Sequence, residues 1–89
     1  MTPPLYNVVL LDDKTHTYDY VMEMLQALFQ QSETEAYRHT EEVDRTGRTI
    51  VIVCELPLAE AARDQIRGYG PDPRLRASKT SMEVRLDPA

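Results

Sequence analysis

Two adjacent carboxylates, Asp12 and Asp13, close the apolar run "YNVVLL" and precede "KTHTYDYV", where a helical pattern begins. Carboxylates fixed where a strand stops can bind a hard cation, accept a phosphoryl group or grip a cationic ligand. They can also do no more than turn the chain and cap the helix that follows, which is the commoner role of an isolated aspartate.

The remaining residues discriminate among these chemistries. A phosphoacceptor receiver domain also ends its first strand in an acidic pair, but it needs a further aspartate after a central strand and five alternating β-α units. Here the run Ile50 to Cys54 passes into Glu55, Leu56 and Pro57, and 89 residues cannot supply five units. A metal-dependent hydrolase finds no support either. His16 and His39 share no ligand spacing, and neither HExxH nor CxxC occurs, although Asp12, Asp13 and Asp44 could attract a hard cation adventitiously. Cys54 lies inside an apolar run without a nearby histidine, so no nucleophile–base pair is visible. No enzyme, no cofactor and no metal site are expected.

The elements that must position the acidic pair follow from periodicity. Tyr6 to Leu11 is a short apolar run with two β-branched residues, the pattern of a buried strand. Val21, Leu25, Leu28 and Phe29 recur at helical spacing, which predicts a helix over about Thr17 to Gln31, with Tyr18 and Tyr20 as partly buried aromatics at its start. Ser32 and Glu35 have capping-box spacing and Gly47 is a helix stop, so a second helix joins them. Its apolar face is thin (Ala36, Val43 and part of Tyr37), its outer side is acidic, and His39 on it should be solvated. Ile50 to Cys54 is the strongest strand signal, with Cys54 as a buried thiol. Pro57 suits the first position of a third helix burying Leu58, Ala62, Ile66 and Tyr69. "GYGPDPRLRASK" is loop, and a last strand turns Met82, Val84 and Leu86 inward as one wet-faced edge. The order is β-α-α-β-α-β: a compact α+β domain whose three-stranded sheet packs against three helices, with strand directions left open.

Composition narrows the partners. The chain is 42% hydrophobic, enough for one small core but not two. Its net charge of −5 disfavours nucleic acid, since phosphate binding needs a positive surface, and suits a protein, a basic peptide or a cation. One cysteine cannot form an internal disulfide, and no apolar stretch approaches the length of a membrane span. A cytoplasmic monomer that uses no membrane is expected.

"YNVVLLDDKTHTYDYVMEMLQALF", "SETEAYRHTEEVDRTGR", "LAEAARDQIRGYG" and the closing "SMEV" together resemble the ClpS adaptor family. The match is free of gaps from Tyr6 to Tyr69, with one insertion before the last strand. The resemblance implies an adaptor that binds the N-terminal residue (N-degron) of substrates and delivers them to the N-terminal domain of a ClpA-type AAA+ unfoldase serving the ClpP protease. Position by position, it implies that Asp12, Asp13 and Asp44 hold the peptide α-amine as an all-carboxylate cluster, where mutual repulsion should raise at least one pKa. It implies a side-chain pocket of His16, Tyr18, Val21, Thr40 and Val43, with Ala77 or Ser78 contributed from near the last strand. Thr40 stands where the family has Met, which makes a changed first-residue preference an expectation. It implies unfoldase docking through Pro57, Glu60 and Arg63, residues 1–5 as a residual N-terminal tail, and residues 6–89 as the adaptor domain. A diverged module of the same fold that docks without reading N-degrons is the alternative.

Overall fold

The computed structural model describes residues 2–89. Its elements are β1 (Leu5–Leu11), α1 (Tyr18–Phe29), α2 (Glu33–Thr46), β2 (Arg48–Glu55), α3 (Leu56–Arg67) and β3 (Glu83–Pro88), in the predicted order. The strands form one sheet, ordered β2-β1-β3 and antiparallel at both junctions. β1 takes the centre because it is the most continuously apolar strand, and its Val8, Val9 and Leu10 have no exposed surface. Between Val8↔Ile52 and Val9↔Ile50 the register shifts, leaving Val51 as an extra residue. This bulge lets consecutive Val51 and Ile52 both reach the core while Val53 is 49% exposed.

Local chemistry ends the helices where expected. Thr17 caps α1 by accepting from the Tyr20 N–H at 3.2 Å, and Gln30 closes it in the left-handed region. Ser32 Oγ accepts from the Glu35 N–H, the N-cap half of the capping box, and Glu35 Oε1 accepts from the Ser32 hydroxyl, both at 3.1 Å. Gly47, with φ 89°, terminates α2, and its N–H bonds the Val43 carbonyl.

Five expectations about burial are corrected. α3 buries Ala59, Ala62 and Ile66, while Leu58 is 64% exposed. The two alanines set the face because they let the helix lie close to the sheet, and Leu58 falls roughly one-fifth of a turn to its side. Tyr69 lies beyond the helix, half-buried and edge-on to Tyr20. Cys54 is half-buried rather than buried, and that partial burial pushes its thiol pKa up. His39 is not a solvated surface group: its Nδ1 meets Thr49 Oγ1 at 2.8 Å, Thr49 donates to Glu42 Oε1, and burial lowers the ring's pKa. Tyr20 goes beyond partial burial, to 2% exposure, with its hydroxyl donating to the Gly70 carbonyl at 2.5 Å. Among the described residues, no helix is long and apolar enough to cross a membrane.

Candidate functional site

The turn from β1 into α1 and the last turns of α2 come together around a recess. Asp12, His16, Thr17, Tyr18, Val21, Thr40, Val43, Asp44 and Met82 line it. Its floor is apolar because Val21 and Val43 belong to the core faces of α1 and α2. The recess encloses about 20 Å³, room for about one water molecule.

Each carboxylate of the expected cluster has a different neighbour. Asp12 Oδ1 accepts from the Lys14 N–H at 3.0 Å, and Lys14 Nζ lies 2.9 Å from Asp12 Oδ2. That second contact is close but outside hydrogen-bond geometry, so Oδ2 is a solvent-shielded oxygen without an aligned donor. Lys14 adopts φ 64°, a conformation that a side-chain-bearing residue takes at a cost of about 1 kcal/mol. The exposed Asp44 accepts a 2.8 Å hydrogen bond from the Tyr18 hydroxyl through Oδ2, and this bond lifts the tyrosine's pKa.

Asp13 is not among the residues lining the recess. Its Oδ1 accepts from the Thr15 N–H at 3.0 Å and the Thr15 hydroxyl at 2.9 Å, and sits 2.7 Å from His16 Nδ1. Burial pushes the Asp13 carboxyl up, but the bonds from Thr15 and His16 outweigh it and hold the pKa below the ordinary value. The elevation expected from three pooled carboxylates is therefore absent at Asp13, because hydrogen bonds rather than bare repulsion surround it. His16 in turn places Nε2 2.8 Å from the Thr80 carbonyl and packs on Tyr20, with ring centroids 4.6 Å apart. The Asp13 carboxylate can only accept, so the contact at Nδ1 uses the ring N–H. Asp13 thus fixes His16, and His16 forms part of the recess wall.

Thr40 is 1% exposed, and its hydroxyl donates to the Ala36 carbonyl at 2.7 Å. Its hydrogen is spent on its own helix, so this threonine is less polar toward the recess than its type suggests. From the C-terminal segment the wall is Met82, not Ala77 or Ser78: Ala77 is exposed, and Ser78 is turned away to accept from the Asp72 N–H at 2.8 Å. Pro57 and Glu60 lie exposed on the first turns of α3, and half-buried Arg63 contacts Asp64 at 3.2 Å.

Asp72 has no local signal for its role. It is 1% exposed; Oδ2 accepts from the Thr17 N–H at 2.8 Å and the Thr17 hydroxyl at 2.7 Å, and Oδ1 accepts from the Arg74 N–H at 3.0 Å. Burial raises its pKa, but these bonds dominate and hold it at about 2. Because Thr17 immediately precedes Tyr18, Asp72 sets where α1 begins and hence where the recess wall stands. The Pro-Asp-Pro sequence does announce a turn. Its partner 55 residues away is what sequence reading could not supply. Among the described residues, no group of three His, Cys, Asp or Glu side chains is placed to hold a metal ion.

The fold and site define a class: a small α+β domain presenting a small recess with an apolar floor and carboxylates at its rim. Comparisons with known proteins specify it further. The family model described as ATP-dependent Clp protease adaptor protein ClpS matches residues 1–72. The ATP-dependent Clp protease adapter protein ClpS of Nautilia profundicola is 41% identical over 58 residues, covering 65% of this chain and 60% of that protein. The ClpS 2 protein of Agrobacterium fabrum is 34% identical over 68 residues, covering 76% and 66%. The matched part thus spans under two-thirds of the length of these two relatives. The structure of Agrobacterium tumefaciens ClpS2 bound to L-phenylalaninamide aligns with a TM-score of 0.84 at 27% identity, over 99% of this chain and 100% of that one. This chain belongs to the ClpS family of Clp protease adaptors.

Proposed function

We propose that this chain is a non-enzymatic cytoplasmic adaptor that binds the N-terminal residue of substrate proteins and delivers them to a ClpA-type unfoldase of the Clp protease. The α-ammonium takes Asp12 and Asp44 as its charge-assisted acceptors, and the first side chain enters between Val21, Thr40, Val43 and Met82. Asp13 serves the same site through His16. The observation that carries the reading is Asp12 Oδ2, a shielded carboxylate oxygen beside the recess whose neighbouring cation, the exposed Lys14 ammonium at 2.9 Å, is not aligned as a hydrogen-bond donor. The L-phenylalaninamide on the related Agrobacterium tumefaciens ClpS2, a free amine next to an aromatic side chain, has the chemistry that such a site accommodates. The exposed start of α3, with Pro57, Glu60 and Arg63, is the proposed unfoldase-facing surface, and the adaptor works as a monomer.

Calorimetry with L-phenylalaninamide and its N-acetyl derivative tests this. The free amine binds and the acetylated compound does not; equal heats from the two would overturn an ammonium-reading site. One observation favours a second reading, a ClpS-fold module that has lost N-degron recognition: the recess as it stands is about 20 Å³. Under that reading neither compound binds.

A further inference from the structure

We infer that the unliganded site is held shut by two of its own side chains, Tyr18 barring the recess and Lys14 standing in for the ligand's ammonium. The inference rests on the reading of this site as an N-terminus binder. It makes Tyr18 the residue that sorts large first side chains from small ones.

Tyr18 is the first residue of α1 and Asp44 lies in the last turn of α2, so their 2.8 Å hydrogen bond ties together the two helices that form the recess. Tyr37 stands edge-on to the Tyr18 ring, with centroids 6.3 Å apart, and limits its travel on one side. With this bar in place the cavity is about 20 Å³, whereas an apolar cavity that takes up an aromatic ring is on the order of 150 Å³. Among the large side chains of the wall, Tyr18 yields most easily. Val21, Thr40, Val43 and Met82 are each at most 3% exposed, while Tyr18 is 38% exposed and its hydroxyl is anchored by the single bond to Asp44.

The second stand-in lies at the other carboxylate. Lys14 Nζ sits 2.9 Å from Asp12 Oδ2, and its side chain is 76% exposed. An ammonium therefore already occupies an oxygen assigned to the ligand's ammonium, in poor alignment and with most of its surface in water. An arriving α-ammonium, better aligned and carrying an apolar side chain, displaces it. Every ammonium competes with the Tyr18 hydroxyl for Asp44, but only a large first side chain also needs the Tyr18 ring to swing aside, and only such a side chain fills the space behind it. The lysine contact, by contrast, opposes every ligand equally.

The test measures L-phenylalaninamide and L-alaninamide binding to the wild type, Y18F, K14M and, as a distant-charge control, K79M. Y18F tightens both amides, because it frees Asp44 Oδ2 for the ammonium, but tightens phenylalaninamide more, about tenfold, because only the large side chain also needs the recess opened. K14M tightens both ligands by the same factor, about threefold, as befits an exposed ion pair, and K79M changes neither. Equal effects of Y18F on the two ligands, or none, overturn the bar; equal effects of K14M and K79M overturn the stand-in. Failure of all four proteins to bind either amide instead refutes N-terminus reading. The bar is then read without peptide chemistry, by xenon titration followed on the Val21, Val43 and Met82 methyl resonances. Y18F responds and the wild type does not, and identical responses overturn the closure.

Discussion

Two sets of carboxylates flank the start of α1, and they are treated in opposite ways. Asp72 is buried, and each of its oxygens receives a well-formed hydrogen bond. Asp12 and Asp44, which line the recess beside the same helix start, hold displaceable partners: an exposed lysine and a rim tyrosine hydroxyl. A carboxylate saturated by backbone N–H groups and a helix cap has no capacity left for a ligand, and its loss is a loss of structure. A carboxylate whose partner is long, exposed and poorly aligned keeps that capacity. The difference separates scaffold from site in a cluster that looks uniformly acidic in sequence.

Asp72→Ala is the strongest way to break this comparison. It strands the Thr17 N–H, the Thr17 hydroxyl and the Arg74 N–H, and unfolding titrations should show a loss of about 3 kcal/mol. Next comes the reverse pattern at Asp12. Asp12→Ala should change stability by less than about 1 kcal/mol but weaken phenylalaninamide binding about a hundredfold, as read by calorimetry. If Asp12→Ala unfolds the protein while Asp72→Ala does not, the division into scaffold and site is wrong.

Acid sharpens the same contrast. Asp72 and Asp13 both have depressed pKa values in the folded state. Their stabilising contribution is therefore complete above the unfolded value near 4 and disappears as pH falls toward the Asp72 value of about 2. Acid titration followed by circular dichroism should show that window, and Asp72→Asn should flatten it. Tyr20→Phe, which removes the bond to Gly70 at the base of the same loop, should cost about 1 kcal/mol. The smallest effect belongs to Glu23→Gln. It loosens the exposed 2.6 Å pair with Arg74 and should move the melting midpoint by no more than about 0.5 kcal/mol allows.

Much of the fold was legible because it is written in local signals. Strand continuity in "YNVVLL", the capping box at Ser32 and Glu35, and the stop at Gly47 each act within a few residues, so pattern and structure agree. α3 shows where such reading fails. Leu58 looks like the natural inward anchor, but the closeness that Ala59 and Ala62 permit between helix and sheet decides the rotation, and that is a property of the packed pair. His39 and Cys54 were misjudged for the same reason, since their exposure depends on which element lies opposite.

The candidate site divides along the same line. Asp12, His16, Tyr18, Val21, Thr40, Val43 and Asp44, assigned to a site through the resemblance to ClpS, line one recess. Spacing along β1, α1 and α2 carries them there, because a strand end and two capped helices place their residues almost independently of the rest. Only the tertiary structure brought Met82 into the wall in place of Ala77 or Ser78 and set Asp72 under Thr17. Each of those depends on how a loop between α3 and β3 returns to a helix start more than 50 residues earlier. Local periodicity carries no term for such a closure; hydrogen bonds formed across the folded chain do.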